Sequence, residues 1–548
     1  MHVLDYGVIL AYLLVSIGLG IYFGRNQSRK EFFAAGNSMG WLPVGLSVMA
    51  TLFSANSFVM YPSIAYGSGL RISLFLIAVS LMAPLVLWVF IPVYARLNCQ
   101  TAYEYLERRY HVSVRSLASG LFIFLRIGWM ASATYAASIV LANVMQVSQL
   151  WVIIVLGIVS IFYTMLGGLR AVMWTDVIQF FIFSLTIILT LGLILAQTDN
   201  GVSGVISTYF EGRSNLLVDF TPSLTLEYGS WAVLIGLFLE ALSAFGADQV
   251  AVQRYIAARS ERTSQVGFMI NVIGMWTVVP GLLAIGVGLY SHYHQFPEQM
   301  VSVLATELNG ELPDWRADAA GAGKGMTVPQ FYESYPEYVA EDIQALKLQD
   351  QALPQYVRLH FPPGVVGLFL VALMAAVMSS IDSGIHSVTT ALMVDFRDRH
   401  FLHLKPDNNK MEVFQDRALV VLIGVLSIVL ACNVGEMGDV FAIGKKVTAG
   451  FGGPLLAVFI LALFFKNSTT AGVLVGTFSG AVITITLMYI SSDWFSVWFW
   501  PIGFGLTMVI GVIVSLLTVS HRPDSAETPL TYWNVVRSQH KNDPDLSE

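Results

Sequence analysis

In the segment AAVMSSIDSGIHSVTTALMVDF, Ser379, Asp382 and Ser383 recur at spacings of three and four, which sets them on one face of a helix. Hydroxyls, a carboxylate and nearby backbone carbonyls form an all-oxygen set, the kind of ligand a hard cation takes. The same residues also suit close helix packing around one paired acid. Far upstream, ATLFSANSF gathers Thr51, Ser54, Asn56 and Ser57 within two turns. Either these small polar residues let helices approach, or they mark an interrupted helix whose freed carbonyls bind a cation. Arg126 in FLRIGWMASATY and Glu240 in LFLEALSAFG stand alone among apolar residues. They pair with each other, or Arg126 faces a cavity and receives a carboxylate through its planar fork. Lys445 and Lys446 read as interfacial snorkelling cations, and His386 as a packed or cytoplasm-facing residue.

The elements that must position these groups are membrane-spanning helices. The 548 residues are 55% apolar and 12% charged, about half the charged share of a soluble protein. Apolar runs of about 20 residues recur along the chain, each long enough to cross a hydrocarbon core. About 13 such spans are expected, at 5–24, 40–66, 70–97, 112–142, 150–166, 169–196, 230–257, 265–292, 364–396, 414–431, 447–465, 470–490 and 495–520. Segments apolar on every face are buried or they span.

Lys and Arg placement then sets the orientation. With the N-terminus outside, the inner loops hold Arg25, Arg29 and Lys30; Arg96, Arg108, Arg109 and Arg115; Arg170; and Arg254, Arg259 and Arg262. They continue with Arg397, Arg399, Lys405, Lys410, Arg417, Lys466 and Arg522, while the outer loops carry little beyond Arg71. Residues 100–110, QTAYEYLERRY, are too short to span and are expected as an amphipathic helix at the inner face. Residues 294–361 form an acidic outer insertion, with a flexible linker at 321–326, and the polar tail 521–548 leaves no room for a further domain. Asp5, rather than a basic stretch, precedes the first apolar run, so no cleavable signal peptide is expected. Cys99 and Cys432 offer neither a disulfide framework nor a metal cluster. HExxH, nucleophile-elbow, P-loop and paired-cysteine motifs are missing, so an enzyme is not expected.

Five separated motifs, EFFAAGNSM (31–39), TAYEYLERRY (101–110), YTMLGGLRAVMWTDVIQ (163–179), ADQVAVQRYIAARS (247–260) and AAVMSSIDS (375–383), stand in order along the chain. In them the sequence resembles the sodium/solute symporter family, whose members carry sugars, proline, sialic acid, monocarboxylates, vitamins or iodide. The resemblance runs from about residue 5 to 520, without a counterpart for about 294–347. It implies an all-α integral membrane protein with a LeuT-like core of two five-helix inverted repeats, at about 40–196 and 230–465.

By the same resemblance a first sodium takes the backbone carbonyls of Ala50, Phe53 and Ala376 with the hydroxyls of Ser379 and Ser380. A second sodium, found in some members, falls on Asp176, Ser379, Asp382 and Ser383. The carboxylate at Asp382 departs from the family pattern: it strengthens that site, or it is protonated, or it joins an Asp–Arg pair. The solute falls beside Ser54, Ser57 and Phe58. Where sugar carriers show a polar set, this chain has Ser57, Leu76, Ala241 and Met275, too few partners for hexose hydroxyls. An eleventh-span Gln position falls on Lys445 or Lys446. The Arg by which sialic acid carriers hold a carboxylate falls on Trp129, with Arg126 one turn away.

The implied activity is symport by alternating access, two sodium ions driving an anionic or zwitterionic solute, monocarboxylate- or sialic-acid-like. A sugar or polyol symporter, or a transporter-like sensor that does not transport, are the rival readings. The implied partners are the solute, sodium and the lipid bilayer, with no nucleic acid and no obligate protein partner. The implied location is the plasma membrane, or the inner membrane if the source is bacterial.

Overall fold

A chain in hydrocarbon has no water for its peptide groups, so long apolar segments must satisfy them as helix. The computed structural model describes residues 1–25, 27–53, 55–198, 201–211, 217–313, 316, 326–401, 409–434, 440–518 and 530–537; the side chains of 52, 55, 56, 401, 409, 410, 434 and 440–447 lie outside this description. Among the described residues nine helices are long and apolar enough to cross a membrane, or ten if one bent pair is a single span. There is no sheet among them, only isolated bridges from Met39 to Ala258 and from Glu311 to Thr327.

The helices that matter below are α1 (Val3–Phe23), α2 (Trp41–Leu52), α3 (Ala55–Gly67), the composite α4 (Arg71–Leu97), α5 (Ala102–Arg109), α6 (Val112–Met145) and α7 (Gln149–Gln197). They continue with α8 (Ala232–Gly246), α9 (Gln249–Ala257), α10 (Glu261–Gln295), α11 (Val365–Ala391), α12 (Asn409–Val434), α13 (Val440–Phe464), α14 (Thr470–Ile490) and α15 (Phe499–Thr518). Every expected span falls on one of these helices. Two fall on α7, one is shared by α2 and α3, and one by α8 and α9.

The length of α7 explains its double load. At 1.5 Å per residue its 49 residues would extend roughly 74 Å, more than twice the hydrocarbon thickness. The backbone leaves helical geometry at Gly168, at φ 57° and ψ −160°. A Cβ there would stand 2.9 Å from the carbonyl oxygen of Phe32 and 3.1 Å from its Cα, so the positive φ and the close approach both require glycine.

Two other spans are interrupted. After α2 the chain turns extended at Phe53, with φ −87° and ψ 95°. Between α8 and α9 the axis bends by 44° around Asp248, whose carboxylate caps α9 by accepting from Val250 N at 2.8 Å. Interrupted helices opening the two halves of a membrane chain are the usual mark of a transporter's central site.

The core sits on α11, whose apolar window is 83% buried against 22% for α1 and α15. It packs on α7, α6, α1, α12, α2 and α3. The carboxylate of Asp5 ties α1 to its start, accepting from the N–H groups of Gly364 at 2.7 Å and Gly367 at 2.9 Å. Outward-facing positions such as Leu10, Leu14, Trp88, Phe124, Ile188, Leu422 and Phe478 are large, apolar and exposed, as contact with acyl chains demands.

The segment expected as an amphipathic surface helix is α5, and it is buried more deeply than that expectation. Tyr103 and Tyr105 are wholly enclosed, and α5 packs on α6. Thr101 Oγ1 at 2.6 Å, Arg115 Nε at 2.8 Å and Ser119 Oγ at 2.9 Å converge on the buried carboxylate of Asp395. Glu107 accepts from Arg115 at 2.6 Å and from Arg399. Partial burial raises the pKa of Glu107, but the two guanidinium groups outweigh it and hold the carboxyl below its usual range. Within 294–361, Tyr332 and Arg316 both donate to Asp342, and Phe331, Val339 and Ile343 are buried in continuity with the main core.

Gly168→Ala is expected to lower stability by about 1–3 kcal/mol, through a strained φ and the Phe32 contact. Gly192→Ala, where a Cβ meets nothing within 4 Å, serves as the control. Thermal unfolding in detergent compares them, and equal melting of both variants would contradict the assignment of the kink to Gly168.

Candidate functional site

Breaking α2 frees carbonyl oxygens at its end, and α11 meets them with hydroxyls. Ser379 Oγ lies 3.0 Å from the oxygen of Ala50 on α2 and 3.1 Å from that of Ala376 on its own helix, a donor shared between two acceptors. Ser380 Oγ reaches Ala376 O at 3.4 Å. Ala50, Phe53, Ala376 and Ser379 line a cavity of about 10 Å³, together with Gln179 and Phe183. That is the room a single water or a small ion occupies. Four of the five residues expected for a first sodium thus line one niche, and Ser380 is not part of its lining.

Of the residues expected for a second cation, Asp176 and Ser383 share Arg254, Asp382 holds Tyr163, and Ser379 holds Ala50 and Ala376. Asp176 on α7 accepts from Ser47 Oγ at 2.5 Å and pairs with Arg254 Nη2 at 3.4 Å. Asp382 accepts from Tyr163 Oη and from the N–H of Ser383, both at 2.5 Å. Ser383 Oγ stands 3.1 Å from Thr51 Oγ1 and accepts from Arg254. Arg254 reaches from α9 to the junction of α2, α7 and α11, also donating to Ser47 Oγ at 2.9 Å and Val250 O at 2.8 Å. Its exposure is 0%, so it is not the loop cation that the charge alternation assumed. Its neighbours Val250 and Val252 read as one more apolar run, and only the mid-helix position of the arginine hinted at burial.

Phe53, at the break of α2, also lines a second cavity, of about 170 Å³. Ser57 and Trp129 line it, as do Ala241 and Met275. Its wall is mostly apolar and rich in aromatic residues, among them Tyr61, Phe75, Tyr228, Phe245 and Trp500, and Glu240 is part of it. Phe58 does not line it: the ring packs edge-on against Phe183 and Phe369 in the core. Ser54 and the side chains of Lys445 and Lys446 lie outside the described residues.

Arg126 is not in the cavity wall and does not pair with Glu240. It forms a buried ion pair with Asp248, at the bend between α8 and α9. The expectation that Arg126 opens into the solute cavity, and its alternative of a Glu240 pair, both give way to this contact. A guanidinium in a span takes the nearest carboxylate, and the break brings Asp248 to it. FGADQV held the signal, since Asp before an apolar-periodic run is a helix N-cap even inside a membrane.

An all-helical core, two interrupted helices and an oxygen-lined niche beside an aromatic cavity define a polytopic secondary transporter. The model of the sodium:solute symporter family matches residues 32–310 and 325–480. The chain belongs to that family. It is 27% identical to the sodium/sialic acid symporter NanT of Aliivibrio fischeri, over 93% of either protein. It is 28% identical to sodium-coupled monocarboxylate transporter 1 of Mus musculus, over 88% of this chain and 72% of that protein.

Among solved structures, a Na⁺-coupled sialic acid symporter in a substrate-bound outward-open state, described as revealing a novel Na⁺ site, superposes with a TM-score of 0.79 at 24% identity. The match covers 94% of this chain and 98% of that one. The nucleobase-cation symporter Mhp1 superposes at 0.53 with 11% identity, covering 93% and 99%. The fold is therefore LeuT-like. The protein is a multi-pass, sodium-coupled solute symporter and not an enzyme.

Removing either charge of the Arg126–Asp248 pair leaves the other buried and unmatched, at about 3–5 kcal/mol. Arg126→Met and Asp248→Asn should each lower the melting temperature, and the double variant should recover most of the loss. Additive losses in that cycle would remove the pair as an energetic unit.

Proposed function

We propose that this symporter binds its driving sodium at the break of α2 and carries a small zwitterionic solute with an apolar body in the aromatic cavity beside it. The observation that carries the first part is the position of Ser379 Oγ, between the carbonyls of Ala50 and Ala376. A sodium there, with Phe53 O and Ser380 Oγ as further ligands, ties α2 to α11. It thereby steadies α3 and Ser57 at the cavity, so that ion and solute favour each other's binding. Rocking of the repeats, at about 40–196 and 230–465, then turns both sites inward. Each sodium crossing the field contributes about 2.3 kcal/mol per 100 mV. Of the two sodium ions that the resemblance implies, this reading assigns one.

The solute reading rests on the cavity wall. Relatives are named for sialic acid and monocarboxylates, so a carboxylate on the solute is in keeping with the family. Arg126 is committed to Asp248, however, and the wall presents Glu240. A zwitterion would keep the carboxylate of the relatives' named solutes and bring an ammonium to Glu240. The aromatic wall suits an apolar body better than the hydroxyls of a sugar or polyol. A sensor without transport would bind the same ligands, and uptake into proteoliposomes separates the two.

The basic inner loops support an outside N-terminus, with 294–361 outside and 521–548 inside, in a plasma or bacterial inner membrane.

Ser379→Ala should need roughly tenfold more sodium for half-maximal uptake, the loss expected for about 1.4 kcal/mol of ligation. Unchanged sodium activation would sink the assignment of the first site. Glu240→Gln should weaken uptake of amine-bearing solutes and spare neutral analogues; equal effects on both would return the solute class to open choice. A cysteine at the exposed Thr327 should react with an impermeant reagent added outside, and reaction only from inside would invert the topology.

A further inference from the structure

We infer that Arg254 is a built-in cation standing at the second sodium position, so that this chain binds one sodium where the resemblance implies two. The inference rests on the sodium reading of the first group and goes beyond it by assigning the charge at Asp176 and Ser383.

The four groups that would ligate a second sodium do not face one point. Ser379 Oγ is turned to Ala50 and Ala376, and so belongs to the first group. Asp382 is turned to Tyr163 on α7 and to the N–H of Ser383. Asp176 and Ser383 both face Arg254, whose Nη2 contacts the two at once. Ser47 completes the enclosure, accepting from Arg254 Nε while donating to Asp176. A sodium ion would have to displace Nη2 to reach both oxygens, because cation and guanidinium compete for the same lone pairs.

Charge favours the resident. Asp176 and Arg254 are both wholly buried, and a buried acid needs a cation beside it. A guanidinium that donates to Asp176, Ser383, Ser47 and the backbone of Val250 supplies one without leaving its own helix. Asp176 Oδ1 keeps no hydrogen-bond partner among the described residues, so the pair is one-sided. That asymmetry makes the site convertible: with the guanidinium gone, Asp176 and Ser383 present free oxygens to a small cation.

Sodium alone is the probe, with the full-length chain in detergent or nanodiscs. Equilibrium binding of radioactive sodium should give one ion per wild-type protein, bound about tenfold more weakly in Ser379→Ala. Arg254→Gln should bind two, with a Hill coefficient rising above one, and adding Asp176→Asn should return the count to one. Arg254→Lys keeps a charge at the site and should stay at one. Two ions on the wild type, or one on a folded Arg254→Gln, would overturn the inference. If Arg254→Gln does not fold, the wild-type count decides alone. No sodium on the wild type would instead remove the first site and the sodium assignment of the proposed function with it.

Discussion

Inside a bilayer a peptide carbonyl released from its helix has no water to accept from, and each unmet group costs several kcal/mol. The two interruptions of this chain answer that constraint differently. At the bend before α9, Asp248 closes the break with its own carboxylate and is in turn neutralised by Arg126. At the end of α2 no described side chain of the break does the same. The carbonyl of Ala50 meets Ser379 from α11, across the helix interface. One break is therefore sealed by local side chains, while the other leans on a neighbour and leaves a niche of oxygen atoms beside it. In the proposed reading, a cation bound at that break would be held by groups on both α2 and α11.

The buried charges form a second layer built on the same accounting. Arg126 with Asp248, Arg254 with Asp176, and Arg115 with Asp395 all lie in the interior, where an unmatched charge would be prohibitive. Two of these three pairs involve Asp248 or α9 itself. Gln253 on the same helix bonds to Phe33 O, Thr390 and His386, so α9 is stitched to α11 and to the segment before α2 along its length. In the proposed alternating-access cycle these contacts either break or move as a block. The rigid second half of an interrupted span serves that need better than a flexible loop would.

The aromatic cavity has few ways to discriminate. Its wall is shaped by Trp129, Tyr61, Phe75, Tyr228 and Trp500, with Glu240 as a charge. Such walls select by shape and by where a solute carries its charges, and less by counting hydroxyls. Of the four sugar positions of the resemblance, Ser57, Ala241 and Met275 line the cavity and Leu76 does not.

Much of this architecture was legible in the chain itself. Apolar length marked the spanning helices among the described residues, and the expected spans 150–166 and 169–196 part at the kink of α7. The spacing of three and four set Ser379, Asp382 and Ser383 on one face, since helical periodicity is a local property that needs no partner. What that face meets was not local. Arg126 and Asp248 are 122 residues apart, Arg254 and Ser383 are 129 apart, and Tyr163 and Asp382 are 219 apart. Periodicity says which way a side chain points on its own helix; only packing decides which neighbouring helix it points at. The sequence alone therefore determined the spans and the oxygen-bearing face of α11. Tertiary structure decided that Arg126 is spoken for, that Phe58 is core, and that an arginine from the second broken span stands beside Asp176.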